Sequence, residues 1–96
     1  MSKLAGLDFE VFGRVQGVFF RKHTRQQAQK LQLFGWCRNT DDGTVKGQLQ
    51  GDKSKVDEMK LWLQKVGSPQ SAIDKAIFSN EREISELTFK DFSIRR

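Results

Sequence analysis

Gly13–Arg21 reads GRVQGVFFR. Before it, Leu7, Phe9 and Val11 alternate with Asp8, Glu10 and Phe12, the period-two pattern of a half-buried strand. After it, Phe20, Thr24, Ala28 and Leu31 recur at helical spacing, with Lys22, Arg25, Gln26, Gln29 and Lys30 on the other side. The stretch is therefore a turn from a strand into a helix. Gly13 and Gly17 open backbone angles closed to other residues, so successive N–H groups can converge on one centre. The helix start adds free donors and the positive end of its dipole. Arg21 adds a planar fork that matches a phosphate. Together these parts can cradle one dianionic phosphoryl group. On spacing alone, a tight turn with an arginine lying along the surface is an equal reading. The stretch is not a Walker A loop, because no GK[ST] follows Gly17, and it lacks the G-x-G-x-x-G of dinucleotide sites.

Working outward, "FGWCRNT" and "TVKGQLQ" read as two strands joined by the turn residues of "TDDGT". Val56, Met59, Leu63 and Val66 mark the apolar stripe of a second helix, with Trp62 beside it. Ser54 is placed to cap its start, and Gly67 followed by Pro69 ends it. "AIDKAIFS" and "FKDFSIR" read as two more strands, separated by an exposed acidic stretch, "NEREISE". The expected fold is α+β, a ferredoxin-like β-α-β-β-α-β sandwich. Two helices cover one face of a mainly antiparallel sheet of four to five strands. The 96 residues make one domain, 1–96, with no linker or low-complexity tract. That fold hosts many unrelated functions and settles nothing about activity.

Charge is unevenly placed. Arg14, Arg21, Lys22, Arg25, Lys30 and Arg38 fall between Val11 and Thr40 with no acidic residue among them. The rest of the chain is close to balanced, so the net charge of +5 resides in the segment that holds the glycine turn. An anionic partner or a solvated helix face accounts for it equally well. Cys37 is the one cysteine, so no internal disulfide forms and nothing points to an oxidising compartment. The N-terminus lacks the apolar run of a signal peptide, and no segment is apolar enough to span a bilayer. A cytoplasmic monomer without membrane attachment is the expectation.

GRVQGVFFR resembles the signature of the acylphosphatase family, glycine-x-valine-glutamine-glycine-valine-x-aromatic-arginine. A second signature follows in register: "GWCRNTDDGTVKGQLQG" places Gly35, Trp36, Asn39, Gly43, Val45 and Gly51 where that family has them. Length and element order agree, so the resemblance covers essentially the whole chain. It implies hydrolysis of the carboxyl–phosphate bond of acyl phosphates, with inorganic phosphate as product. By matched position it implies that Arg21 binds the phosphate and Asn39 holds the attacking water. Backbone amides of Val15, Gln16, Gly17, Val18, Phe19 and Phe20 would complete the cradle. It also implies no cofactor, no metal and no covalent phosphoenzyme. The chain departs from the family at its end, Arg95-Arg96, where many members finish in tyrosine.

Other residues read more simply. His23, two positions after Arg21, points to another side of the helix and is expected to be a surface or half-buried structural histidine. Cys37 lacks the arginine six residues on that a cysteine-phosphatase nucleophile needs, since Gly43 stands there, and reads as a small buried thiol. Asp41 and Asp42 miss the spacing of aspartyl phosphotransferases and suit a turn. One histidine and one cysteine do not make a zinc site. Met59, Trp62 and Leu63 read as core. Two rival readings are a regulatory domain of the same fold and an RNA-binding module. RNA binding needs aromatics on the two central strands. Here the first strand offers Asp8 and Glu10 beside Phe12, and "TVKGQLQ" has none. No nucleic-acid partner is expected.

Overall fold

The computed structural model describes residues 3–96. Its elements run β1 (Leu4–Arg14), α1 (Phe20–Lys30), β2 (Phe34–Asn39), β3 (Val45–Asp52), α2 (Lys53–Lys65), β4 (Ala72–Ile84) and β5 (Phe92–Ile94). The five strands form one sheet in the order β4-β1-β3-β2-β5. β5 runs parallel to β2, and every other pair is antiparallel. This is the α+β, ferredoxin-like arrangement that the sequence predicts, with β5 as the fifth strand.

Alternation along the strands puts one set of side chains into the core. Leu7 faces Leu49 and Val11 faces Val45 across β1 and β3, and all four are buried. Cys37 on β2 joins them. Phe20, Thr24 and Ala28 of α1 and Val56, Met59 and Leu63 of α2 close over this layer. Phe20 anchors the start of α1: it is buried, and its ring centroid lies 5.8 Å from that of Trp62 on α2. Removing a side chain of that size from water is worth roughly 1.5–3 kcal/mol. The helix that carries Arg21 is thus fixed at its first residue.

Three local expectations are corrected. Ser54 does not cap α2. The cap is Asp52, whose Oδ1 accepts the Ser54 N–H at 3.0 Å and the Ser54 hydroxyl at 2.9 Å, because the helix already begins at Lys53. Val66 is not on the apolar stripe. It is the C-cap, with φ −111° and ψ −71°, and it turns outward where the helix stops. The N–H groups of Val66 and Gly67 both reach the Trp62 carbonyl at 3.0 Å. Finally, "NEREISE" is exposed as expected, but its first five residues extend β4 to Ile84. Backbone pairing with β1 (Gly6 with Arg82, Ala5 with Glu83, Leu4 with Ile84) holds them there without any apolar alternation. The register shifts between Gly6 and Asp8, where Asn80 takes φ 53°. Among the described residues, no helix is long and apolar enough to cross a membrane.

Candidate active site

The turn between β1 and α1 begins at a register shift between Phe12 and Gly13. Gly13 has φ +123°, and a Cβ there would run into the Ala72 carbonyl, so only glycine fits. Gly17 (φ +74°) and Phe19 (φ 60°, ψ 25°) both adopt left-handed backbone, which folds residues 15–19 back on themselves. Val15 and Val18 are buried beneath the loop, while Gly17 and Phe19 are exposed at its top.

Three anchors hold the loop. The Gln16 Nε2 donates to the carbonyls of Thr40 (2.8 Å) and Thr44 (2.9 Å), tying the loop to the β2–β3 turn. The buried Ser68 hydroxyl donates to the Val18 carbonyl at 2.8 Å. The Phe19 carbonyl accepts the His23 N–H at 3.1 Å and lies 3.0 Å from His23 Nδ1, which must then carry the ring proton. Among the described residues, no group of the chain accepts the N–H groups of Gln16, Gly17, Val18, Phe19 or Phe20. The anchors leave those donors unused. Successive free N–H groups leading into a helix start form a concavity suited to an anion.

The turn that Gln16 grips is itself ordered. The Thr44 hydroxyl donates to Glu10 Oε2 at 2.7 Å, so its oxygen accepts from the Thr40 hydroxyl, also at 2.7 Å. Thr40 Oγ1 in turn accepts the N–H groups of Thr44 (3.2 Å) and Asp42 (3.3 Å). Asn39 immediately precedes this turn. It shares a face of β2 with Cys37, whose Sγ lies 4.0 Å from the Arg21 carbonyl. One neighbour of Asn39 therefore touches the helix start, and the next residue touches the loop. The Asn39 Oδ1 is buried and has no hydrogen-bond partner. A buried polar atom without a partner costs about 1–3 kcal/mol, a cost that makes sense where a water or a ligand supplies the missing bond.

Arg21 lines a cavity of about 270 Å³ together with Val15, Gly17, Phe19, Phe20, Lys22, Ile94 and Arg96. Among the described residues, its guanidinium has neither an ion-pair nor a hydrogen-bond partner. Contrast the larger cleft of about 360 Å³ between α2 and the far ends of β1 and β4. There Lys53 pairs with Asp57, Lys60 with Glu81 and Lys3 with Glu83. Of these two, the smaller cavity combines an unpaired cation with unused backbone donors. Of the residues singled out by sequence, Val15, Gly17, Phe19, Phe20 and Arg21 line it. Gln16 and Val18 act as anchors instead, and Asn39 lies outside its wall.

Sequence reasoning did not assign Lys22, Ile94, Arg96, Ser68 or the Thr40–Thr44–Glu10 chain to the site. Gln16, Glu10 and Ser68 find their partners 24 to 50 residues away, which nothing local marks. Burial pushes the Cys37 thiol up from 9.0 to about 12, against the pull of Arg21 and Arg25. It is an inert thiol beneath the site.

Comparison with known proteins covers nearly the whole chain. The sequence profile of the acylphosphatase family matches residues 7–94. The chain is 59% identical over 94 residues to acylphosphatase-2 of Gallus gallus, covering 98% of this chain and 91% of that protein. It is 58% identical over 93 residues to acylphosphatase-1 of Homo sapiens, covering 97% and 94%. The crystal structure of acylphosphatase from Bacillus subtilis superposes with a TM-score of 0.86 at 32% identity, covering 96% of this chain and 99% of that one.

Two tests follow from the geometry. Gln16→Ala is expected to lower the unfolding free energy by about 1 kcal/mol and to weaken inorganic phosphate binding about tenfold, because the loop must then be ordered on binding. Urea denaturation and titration calorimetry read these effects. Unchanged phosphate affinity would show that the loop keeps its shape without the bridge. For Cys37, the raised pKa means that the fold favours the neutral thiol. Its contribution is complete below pH 9.0 and is lost as pH rises toward 12. The stability difference between the wild type and Cys37→Ala should therefore shrink over that window in denaturation curves.

Proposed function

The chain belongs to the acylphosphatase family and is a hydrolase of acyl phosphates; on that premise we propose that Arg21, the loop amides and Asn39 carry the reaction without a metal. The observation that carries this reading is the unpaired Arg21 guanidinium, facing a cavity beside five backbone donors that nothing else in the described chain uses. The phosphoryl group fits there, with the N–H groups of Gln16 to Phe20 and the Arg21 fork on its equatorial oxygens.

Hydrolysis forms a bond from the water oxygen to phosphorus and breaks the bond from phosphorus to the acyl oxygen. The electron pair of that bond leaves with the carboxylate, a good leaving group that needs little protonation. Catalysis then reduces to stabilising charge on the transferring group and aiming the water. Each well-placed donor is worth about 3–4 kcal/mol in such transition states. Asn39 supplies the aim: its buried, unpartnered Oδ1 can accept a hydrogen bond from the water and orient it. A carboxamide is no base, so the water's proton passes to a phosphoryl oxygen of the substrate, and the products are carboxylate and dihydrogen phosphate. His23 is given no part: it does not line the cavity, and its Nδ1 serves to hold the Phe19 carbonyl.

We take the working unit to be a cytoplasmic monomer that binds neither nucleic acid nor membrane. On the open face of the sheet, the rings of Phe12 and Trp36 are covered by Lys75 and Arg95 at 4.8 and 4.5 Å, which leaves them ill placed to stack bases.

The direct assay is hydrolysis of benzoyl phosphate in EDTA beside a simple phosphate monoester; cleavage of the anhydride alone is expected. Arg21→Lys should lose about 100-fold or more in kcat/KM and much of its phosphate affinity, because an ammonium cannot reproduce the fork. Full activity in that variant would remove the role given to Arg21. Asn39→Ala should lower kcat by roughly two to three orders of magnitude with phosphate affinity nearly intact. A large loss of phosphate binding would mean that Asn39 holds the anion rather than the water.

A further inference from the structure

We propose that Phe19 is the specificity-determining residue for the acyl group: its ring and the Ile94 side chain form an apolar subsite at the cavity mouth that favours aromatic acyl phosphates. This rests on the phosphoryl group occupying the cavity as described above.

In-line displacement sets the direction. The attacking water and the leaving carboxylate lie on opposite sides of phosphorus. Asn39, which holds the water, is outside the cavity wall, so the acyl group projects away from it through the mouth. Phe19 and Ile94 line that cavity, one from the loop and one from β5, with Lys22 and Arg96 as its charged members besides Arg21. An acyl chain leaving the cradle meets these four side chains.

Phe19 is out of place by ordinary rules. Its backbone is left-handed, a conformation that favours glycine and asparagine over bulky residues. The residue is 65% exposed. The other large exposed apolar residues, Leu61, Val66, Ile77 and Leu87, line no part of this cavity. Two bonds from His23 fix the Phe19 carbonyl, so the backbone that carries the ring is held in place. An exposed aromatic face on a fixed backbone offers an arriving ring offset or edge-to-face contact and offers an acetyl group almost nothing.

The test compares kcat/KM for benzoyl phosphate and acetyl phosphate in the wild type, Phe19→Asn and Phe19→Tyr, with circular dichroism to confirm folding. Asparagine tolerates the left-handed backbone, so the loop path is kept while the ring is lost. The benzoyl-to-acetyl ratio is expected to fall about tenfold in Phe19→Asn and to be retained in Phe19→Tyr. A ratio unchanged in Phe19→Asn, including an equal loss on both substrates, overturns the proposal and leaves Phe19 a loop-shaping residue only. So does a ratio that falls as far in Phe19→Tyr. Failure of the wild-type chain on both substrates would instead overturn the reading beneath this one, a result distinct from any change in ratio.

Discussion

A loop that binds an anion through its own N–H groups must be held in place by everything except those groups. This constraint organises the structure around residues 15–20. Gln16 reaches out with a side-chain amide to the Thr40 and Thr44 carbonyls, and Val18 and Phe19 are gripped by their carbonyls from Ser68 and His23. Each anchor comes from a different part of the fold: the β2–β3 turn, the segment after α2, and the first turn of α1. The bend is rigid because the sheet and both helices are assembled around it, and its donors stay available.

The same anchors bring in the second half of the proposed site. Gln16 binds the turn directly after Asn39, and the Thr40–Thr44–Glu10 chain fixes that turn to β1. Preorganisation of this kind costs nothing at the moment of reaction, because the dipoles are already aimed. Electrostatics points the same way. The acid-free segment from Val11 to Thr40 spans the end of β1, the loop, α1 and β2 up to Asn39. Two of its six cations, Arg21 and Lys22, line the cavity, and their field favours arrival of an anion.

Much of the fold was legible because each element carries its own periodicity or punctuation. β1, α1 and the β2–β3 hairpin announce themselves through alternation, 3.6-residue recurrence and the turn residues of "TDDGT". What escaped depends on distant partners. Asn80–Ile84 has no strand pattern and is strand only because β1 offers backbone to pair with. Asp52 rather than Ser54 caps α2 because β3 runs straight into the helix, a boundary that composition does not mark. In the site, Arg21 and Asn39 stand out as motif residues. By contrast, Ser68, Ile94 and Arg96 are ordinary residues made important by where the chain returns.

The strand order has a kinetic consequence. In β4-β1-β3-β2-β5, only β3 and β2 are both adjacent in the sheet and consecutive in the chain. The hairpin bearing Asn39 can therefore form early and locally. Pairing β1 with β3, or β5 with β2, must first close a long stretch of chain, and that entropy is spent before any contact rewards it. Folding on the slow side for this chain length follows, with the anion cradle among the last features to appear, since it needs β1, the hairpin and the segment beyond α2 at once.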